Sequence, residues 1–186
     1  MEFGMPTLIE NRTLEDNVAL CHILGLNFIE LNMNFPEYQL EQLEQTDSLL
    51  RIAEQAGIYY TIHLDENLNI ADFNHLVSEA YLETVRRSIN IAKEMNCLIG
   101  RNGNSNRSLI VNMHMNHGIH ITLPNKKVQM FDRDFDTYIN SFISFRSMCE
   151  EWIGGSNIMI QLRIQMDSGI MRKKLSNIYW KALNLV

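Results

Sequence analysis

Apolar and β-branched residues recur in short runs along the chain, and stretches with helical periodicity separate these runs. Apolar runs of about four to eight residues between polar or glycine-containing segments are typical of buried β-strands. On this pattern we predict five strands, at Phe3–Ile9, Asn27–Leu31, Ile58–Leu64, Leu109–Met113 and, beginning the fifth, Asn157–Ile160. The second predicted strand is apolar in character except that it contains one charged residue, Glu30.

Helical patterns lie between these strands. The first helix is predicted to begin after Thr13, whose side chain can cap it, and to end at Gly25. Further helices are predicted over 47–55, where Gly57 ends the helix, and over 75–95 and 134–152. An extended segment with a turn at Pro124-Asn125 is predicted over 119–130. The inward stripe of the long helix is predicted to include Leu76, Ala80, Thr84, Ile91 and Met95.

Strands and helices that alternate with short connections predict an α/β fold, in which right-handed crossovers join parallel strands. An open doubly wound sheet and a closed barrel both satisfy this rule, and the presence of only five visible strands slightly favours the open sheet. A closed (β/α)8 barrel usually needs about 250 residues and at least about 200, whereas this chain has 186. If the strands belong to a barrel, that barrel is incomplete.

The composition is that of a globular domain, with 46% hydrophobic and 20% charged residues. A net charge of −6 argues against nucleic acid as a partner, because acidic surfaces repel phosphate backbones. The N-terminus lacks a secretion signal and no apolar stretch reaches the ~20 residues of a membrane span. We therefore expect a cytoplasmic protein with no membrane partner, whose three scattered cysteines are buried apolar residues.

Candidate chemistry gathers at the predicted carboxyl ends of the strands, where functional residues of parallel α/β proteins collect. Neutral imidazole is a common transition-metal ligand, and carboxylates can complete such a site. A lone histidine at a strand end is more often structural, but two on successive strands make a shared site an equal alternative. The candidates are Glu30, Asn32, His63, Asp65, Asn112, His114 and His117.

Histidines elsewhere are weaker candidates. His22 falls on a predicted helix and His75 begins one, so both are interpreted as peripheral or surface groups. His120 and His117 follow the fourth predicted strand and could line a substrate pocket.

Several stretches together resemble one known family. Phe-Gly-Met-Pro-Thr-Leu-Ile-Glu, Leu-Gly-Leu-Asn-Phe-Ile-Glu-Leu-Asn-Met-Asn and Gly-Ile-Tyr-Tyr-Thr-Ile-His-Leu-Asp-Glu-Asn-Leu resemble the sugar phosphate isomerases/epimerases of the xylose-isomerase-like TIM-barrel superfamily. The likeness continues through Asn-Met-His-Met-Asn and Thr-Leu-Pro, and covers residues 1–160 with one interruption. It implies the fold of an incomplete (β/α)8 barrel of about five β/α units.

The resemblance also implies a chemistry, namely isomerisation of a sugar or sugar phosphate by proton transfer, with a divalent metal such as Mn, Mg, Zn or Co in the complete enzyme. Glu30 matches the acid at the end of the family's second strand and is the candidate catalytic residue. His63 and His114 match histidines that bind substrate in isomerases and metal in the endonuclease IV branch. Asn32, Asp65 and His117 are further candidates for contacts with substrate, because they lie at or after the strand ends. The resemblance itself implies no role for these three residues.

Two segments depart from the family pattern. After residue 160 the chain lacks the family's Ile-Glu-Asn motif and its later metal-binding residues. Residues 161–182 can, however, be encoded by codons whose neighbouring reading frame encodes Ile-Glu-Asn followed by an amphipathic helix. We therefore expect a frameshift near residue 160, which divides the chain into a partial barrel over 1–160 and a non-family tail over 161–186, disordered or adventitiously helical. The insert Gly100–Ser108 is predicted to be a flexible loop.

Three functions remain open on the sequence. The first is a sugar phosphate isomerase/epimerase-like protein that is inactive in this form, because the metal-binding carboxylates are missing. The second is an endonuclease-IV-like hydrolase, against which the net charge of −6 argues. The third is a non-catalytic module that binds a small molecule or a partner. In each case an incomplete barrel has an open edge, so self-association is expected.

Overall fold

The computed structural model describes residues 1–101, 108–115, 120–129 and 135–163. Its strands are β1 (Gly4–Pro6), β2 (Phe28–Asn32), β3 (Tyr59–His63), β4 (Leu109–His114), β5 (His120–Leu123), β6 (Lys126–Gln129) and β7 (Ile158–Arg163). Its helices are α1 (Leu14–Ile23), α2 (Leu40–Leu43), α3 (Thr46–Ala56), α4 (His75–Arg101) and α5 (Phe135–Ile153), with a 3-10 turn at Pro36–Tyr38.

Five strands form one sheet in the order β1-β2-β3-β4-β7, and every neighbouring pair is parallel. Along the chain, at least one helix lies between each two successive strands of this sheet. The predicted α/β fold with about five strand–helix units is therefore confirmed. The two remaining strands, β5 and β6, form a separate antiparallel hairpin that turns at Pro124-Asn125, as predicted.

Local signals set several of the element ends. Thr13 caps α1 through a capping box, in which its hydroxyl accepts from the Asp16 amide and the Asp16 carboxylate accepts from the Thr13 amide. Gly57 ends α3 in the left-handed conformation with φ of 65°, which glycine adopts at no steric cost. Both ends were predicted from sequence because they depend only on neighbouring residues.

The two faces of the sheet differ in chemistry. Ile29, Leu31, Ile62 and Val111 are fully buried and belong to the main hydrophobic core, against which the helices pack. Side chains alternate between faces along a strand, so the residues between them point to the opposite face. That opposite face corresponds to the interior of a barrel.

The opposite face is the more polar of the two. Register partners in a parallel pair share a face, so this set can be followed across the sheet through Glu30, Thr61, Asn32, His63, Asn112, Gln161, His114 and Arg163. The strand order therefore brings together polar residues that are far apart in sequence.

Three details of the sequence prediction are wrong. Helix α4 continues to Arg101, so the predicted loop from Gly100 begins inside a helix; residues 102–107 lie outside the described part of the chain. Leu76 is 75% exposed and Ala80 is also exposed, whereas the buried positions of α4 include Val85 and Ile89. Ile91 and Met95, the later members of the predicted stripe, are buried as predicted.

The third error concerns the predicted tail from residue 161. Gln161, Leu162 and Arg163 continue β7 and pair in register with Asn112, Met113 and His114. A parallel ladder forms through backbone groups, so it requires no family motif in the side chains. Residues 164–186 lie outside the described part of the chain, and the proposed frameshift stays a prediction.

Candidate active site

His63 and His114 meet at the carboxyl ends of β3 and β4. Their Nε2 atoms lie 3.2 Å apart and their ring centroids 5.0 Å apart, with an angle of 52° between the ring planes. His63 is 6% exposed, whereas His114 is half-buried. The two imidazoles thus share one site, although 51 positions separate them in the sequence.

The tautomer of His63 follows from its other nitrogen. Nδ1 of His63 lies 2.9 Å from the carbonyl oxygen of Leu64, and a carbonyl can only accept, so Nδ1 carries the proton. In the neutral ring Nε2 then has a free lone pair, which can accept the Nε2–H of His114. A histidine fixed in this way through its backbone-facing nitrogen is oriented as metal-binding histidines commonly are.

Glu30 and Asn112 form a second contact on the same face. The side-chain amide of Asn112 donates to the carboxylate of Glu30 across the intervening strand β3. Asn112 is the register partner of His63, so this contact lies directly beside the histidine pair. The amide donor holds the Glu30 carboxylate in one orientation.

Two buried acceptors on this face have no hydrogen-bond partner among the described residues. They are Oδ1 of Asn112 and Oγ1 of Thr61, whose residues are each 4% exposed. Because the Glu30 carboxylate can only accept, the Asn112 amide must present its nitrogen to Glu30, and Oδ1 is left without a donor. Unpaired buried polar atoms cost free energy and are found where a water or a ligand completes the site.

The other candidates, Asn32 at the end of β2 and Asp65 just after β3, hold the loops above the site. Oδ1 of Asn32 accepts from the backbone and side-chain nitrogens of Asn34, at 3.0 and 2.8 Å. Oδ1 of Asp65 accepts from the backbone nitrogen of Asn67 at 2.7 Å. The amide oxygen of Asn34 in turn accepts from the backbone nitrogen of Glu66 at 2.9 Å, which joins the two loops. A substrate contact by Asn32 or Asp65 stays a prediction.

Charges around the histidine pair act on His114 from several sides. Burial lowers the pKa of His114, and the neighbouring His63 and Arg163 lower it further, while Glu66 and Glu30 oppose the shift. The lower pKa favours neutral His114 at physiological pH. A neutral imidazole can bind a metal ion or exchange a hydrogen bond with a hydroxyl group.

The histidine pair fits part of a metal site. Two nitrogens bound to one ion at about 2.0–2.1 Å lie about 3.3–3.4 Å apart in tetrahedral geometry, close to the observed 3.2 Å. Within the described part of the chain, however, no group of three or more His, Cys, Asp or Glu side chains could hold a metal ion. The described residues therefore supply two ligands and not a complete set.

The remaining histidines lie away from this site or outside the described residues. His22 on α1 is exposed, and His75 at the start of α4 is exposed and lies 3.5 Å from Glu79. His117 lies outside the described residues, and of His120 only its place in β5 is defined. No helix in the described ranges has the length and apolar character of a membrane span.

Sequence reasoning missed the role of Asn112 and the presence of Arg163. Asn112 was named among the candidates at the strand ends but was given no role, and Arg163 was assigned to the tail. The signal for Asn112 was its spacing of two residues before His114, which places both on one face of a strand. Arg163 gave no such signal, because its position depends on how far β7 extends.

The sequence matches no protein-family model and no curated protein, but its fold is similar to several solved structures. A D-tagatose 3-epimerase-like protein matches with TM-score 0.65 and 18% identity over 96% of this chain and 60% of that one. The 3-keto-D-glucoside 4-epimerase YcjR from E. coli matches with TM-score 0.61 and 12% identity over 87% of this chain and 55% of that one. A xylose isomerase domain protein from Planctomyces limnophilus matches with TM-score 0.60 and 10% identity, over 97% and 59%.

At these identities the likeness concerns the fold. The chain spans less than two thirds of the length of each of these three proteins. Its five parallel strands match the corresponding part of their (β/α) barrels, which confirms the expectation of an incomplete barrel. The chain therefore has the fold of a partial (β/α)8 barrel, similar to part of these three structures.

Proposed function

We propose that this chain carries part of the active site of an isomerase or epimerase that acts on a sugar or sugar phosphate. The observation that supports it most is the meeting of His63, His114 and the Glu30–Asn112 contact on one face at the carboxyl ends of parallel strands. Barrel enzymes place their active sites at this end of the strands. The solved structures with the same fold include proteins described as sugar epimerases.

Each residue has a role in this proposal. Glu30 is the group that takes a proton from carbon, because its carboxylate is held in one orientation by the Asn112 amide. His63 and His114 bind oxygens of the sugar, His63 accepting through Nε2 and His114 donating. Asn32 and Asp65 shape the loops over the site and lie next to the bound sugar.

A divalent metal is part of the proposal for the complete enzyme. In the complete enzyme His63 and His114 would hold the ion through their Nε2 atoms instead of binding the sugar oxygens directly, and the ion would supply positive charge to polarise a carbonyl oxygen. Two imidazoles bind an ion weakly without further ligands. We therefore propose that the 186-residue chain alone does not catalyse the reaction at an appreciable rate.

Binding and turnover can be tested separately. D-tagatose and D-fructose, with their phosphates, would be titrated into the chain by calorimetry and then incubated with it in D2O with added Mn2+. We expect binding that His63→Ala and His114→Ala each weaken about tenfold or more. We expect no incorporation of deuterium at the sugar carbons.

The controls distinguish the two parts of the proposal. His75→Ala changes an exposed histidine on α4 and should leave binding unchanged. Deuterium incorporation that Glu30→Gln abolishes would contradict the proposed inactivity while supporting the role of Glu30. If no sugar or sugar phosphate binds at millimolar concentration, the proposed function is wrong.

A further inference from the structure

Arg163 stands beside the histidine pair and has no role in the function proposed above. It is the last residue of β7 and the register partner of His114. Its backbone oxygen accepts from the amide of Met115 at 2.8 Å, so the ladder between β4 and β7 continues to the very end of the strand. The position of Arg163 relative to His114 is therefore fixed by backbone pairing.

The side chain of Arg163 points to the same face as the site. Side chains of register partners in parallel strands project to the same side of the sheet, and His114 projects toward His63. Arg163 also lies close enough to His114 for its positive charge to lower the pKa of His114, although burial and His63 lower that pKa more.

The guanidinium of Arg163 is unpaired within the described ranges. The side chain is exposed and takes part in no ion pair or hydrogen bond with another described residue. Three arginines on α4 and α5 differ, since Arg86, Arg87 and Arg146 each bind a glutamate. Among the described residues, Arg163 is thus a cation without a partner at the edge of the site.

Within the described part of the chain, the acids near the site form no ion pair with this cation. Glu30 already accepts from Asn112, and Glu66 acts on His114 from the loop after β3. In a protein with a net charge of −6, a strand-end cation that has no partner among the described residues favours an anionic ligand there. A guanidinium matches phosphate in geometry, because it donates two parallel hydrogen bonds to two oxygens.

We propose that Arg163 binds the phosphoryl group of the substrate, so that the site prefers a sugar phosphate to the corresponding neutral sugar. The inference rests on the proposed function, because it assumes that a sugar occupies the site beside His63 and His114. It goes beyond that function by selecting between two substrate classes that the histidine pair and Glu30 do not distinguish. No bond is made or broken at Arg163.

The test compares matched ligands and matched variants of the full chain. D-Fructose, D-fructose 6-phosphate and inorganic phosphate would be titrated by calorimetry into wild type, Arg163→Gln, Arg163→Lys and Arg51→Gln. Arg51 is an exposed arginine on α3, on the helical layer, and serves as the control. Thermal unfolding of each variant would show whether the fold is kept.

We expect D-fructose 6-phosphate to bind wild type more tightly than D-fructose. Arg163→Gln should weaken the phosphorylated sugar about ten- to a hundredfold and leave the neutral sugar unchanged. Arg163→Lys should keep part of the affinity, because it retains the charge but loses the two parallel hydrogen bonds. Arg51→Gln should bind as wild type does.

Other results would overturn the proposal in distinguishable ways. Equal binding of both sugars to wild type and to Arg163→Gln would exclude Arg163 as the phosphate ligand and leave the proposed function standing. An equal loss for both sugars would show that Arg163 acts on the fold of the site. If neither sugar nor phosphate binds wild type, both this inference and the proposed function are wrong.

Discussion

Nε2 of His63 lies 3.2 Å from Nε2 of His114, across the neighbouring strands β3 and β4. This separation suits either a hydrogen bond between the two rings or two ligands on one ion. The unprotonated Nε2 of His63, fixed by the contact of Nδ1 with the Leu64 carbonyl, is compatible with both. The pair is therefore the place where metal binding by this chain is best tested.

Titration with Zn2+ or Mn2+ is expected to show at most weak binding to this pair. Structural zinc sites with four ligands bind with about 10–16 kcal/mol, and two imidazoles alone should bind with well under about 10 kcal/mol. His63→Ala should remove the binding, and His75→Ala should not. Tight stoichiometric binding, or binding that survives both His63→Ala and His114→Ala, would place the metal elsewhere.

Acid is expected to destabilise the protein through His114. Burial, with help from His63, lowers the folded-state pKa of His114 below its unfolded value, so the unfolded chain binds more protons in mildly acidic solution. Stability that is present above the unfolded pKa of about 6.5 is lost as the pH falls below it. Urea unfolding at pH 7.5 and pH 5, with chelator present, measures this loss.

The matched variant for this prediction is His114→Gln, which keeps a polar side chain without the titration. Its loss of stability between the two pH values should be smaller than that of wild type. His22→Gln, on the exposed surface of α1, should lose as much as wild type. An unchanged pH dependence in His114→Gln would assign the acid sensitivity to other groups.

Removal of Asn112 is expected to destabilise the fold. Its amide donates to Glu30, and the residue is 4% exposed, so Asn112→Ala leaves a half-buried carboxylate without this donor. The expected cost is about 1–3 kcal/mol in the free energy of unfolding. Denaturation in urea checks it, with the exposed Asn90→Ala on α4 as control.

The double variant Asn112→Ala, Glu30→Gln separates the contact from simple loss of packing. If the ionised carboxylate carries the cost, the second change should recover part of the lost stability. Additive losses would show that Asn112 acts independently of Glu30.

Gly4 is expected to resist substitution because of Phe28. A Cβ added at Gly4 would overlap the ring of Phe28, which is its register partner in β2. The ring cannot move freely, since it stacks on Tyr59 with 5.2 Å between centroids. Gly4→Ala should cost about 1–3 kcal/mol in thermal or urea unfolding.

A smaller partner should relieve this overlap. In the background of Phe28→Leu, the change Gly4→Ala should cost clearly less than in wild type. An equal cost in both backgrounds would mean that the backbone of β1, and not the ring, opposes the substitution.

The sequence by itself determined the elements and the class of fold. Caps such as Thr13 and stops such as Gly57 act on adjacent residues, and apolar periodicity reports locally which face is buried. Alternation of strand and helix then requires a parallel sheet. It also places Glu30, His63 and His114 toward one end of that sheet, which is why these three could be named as candidates.

Only the tertiary structure decided which groups meet. The contact of His63 with His114 joins residues 51 positions apart, and that of Glu30 with Asn112 joins residues 82 apart. Such distances depend on strand order, register and the depth of each residue along its strand, which local patterns do not fix. The reach of β7 to Arg163, beyond the predicted boundary at residue 160, was decided in the same way, because backbone pairing with β4 continues regardless of the side chains.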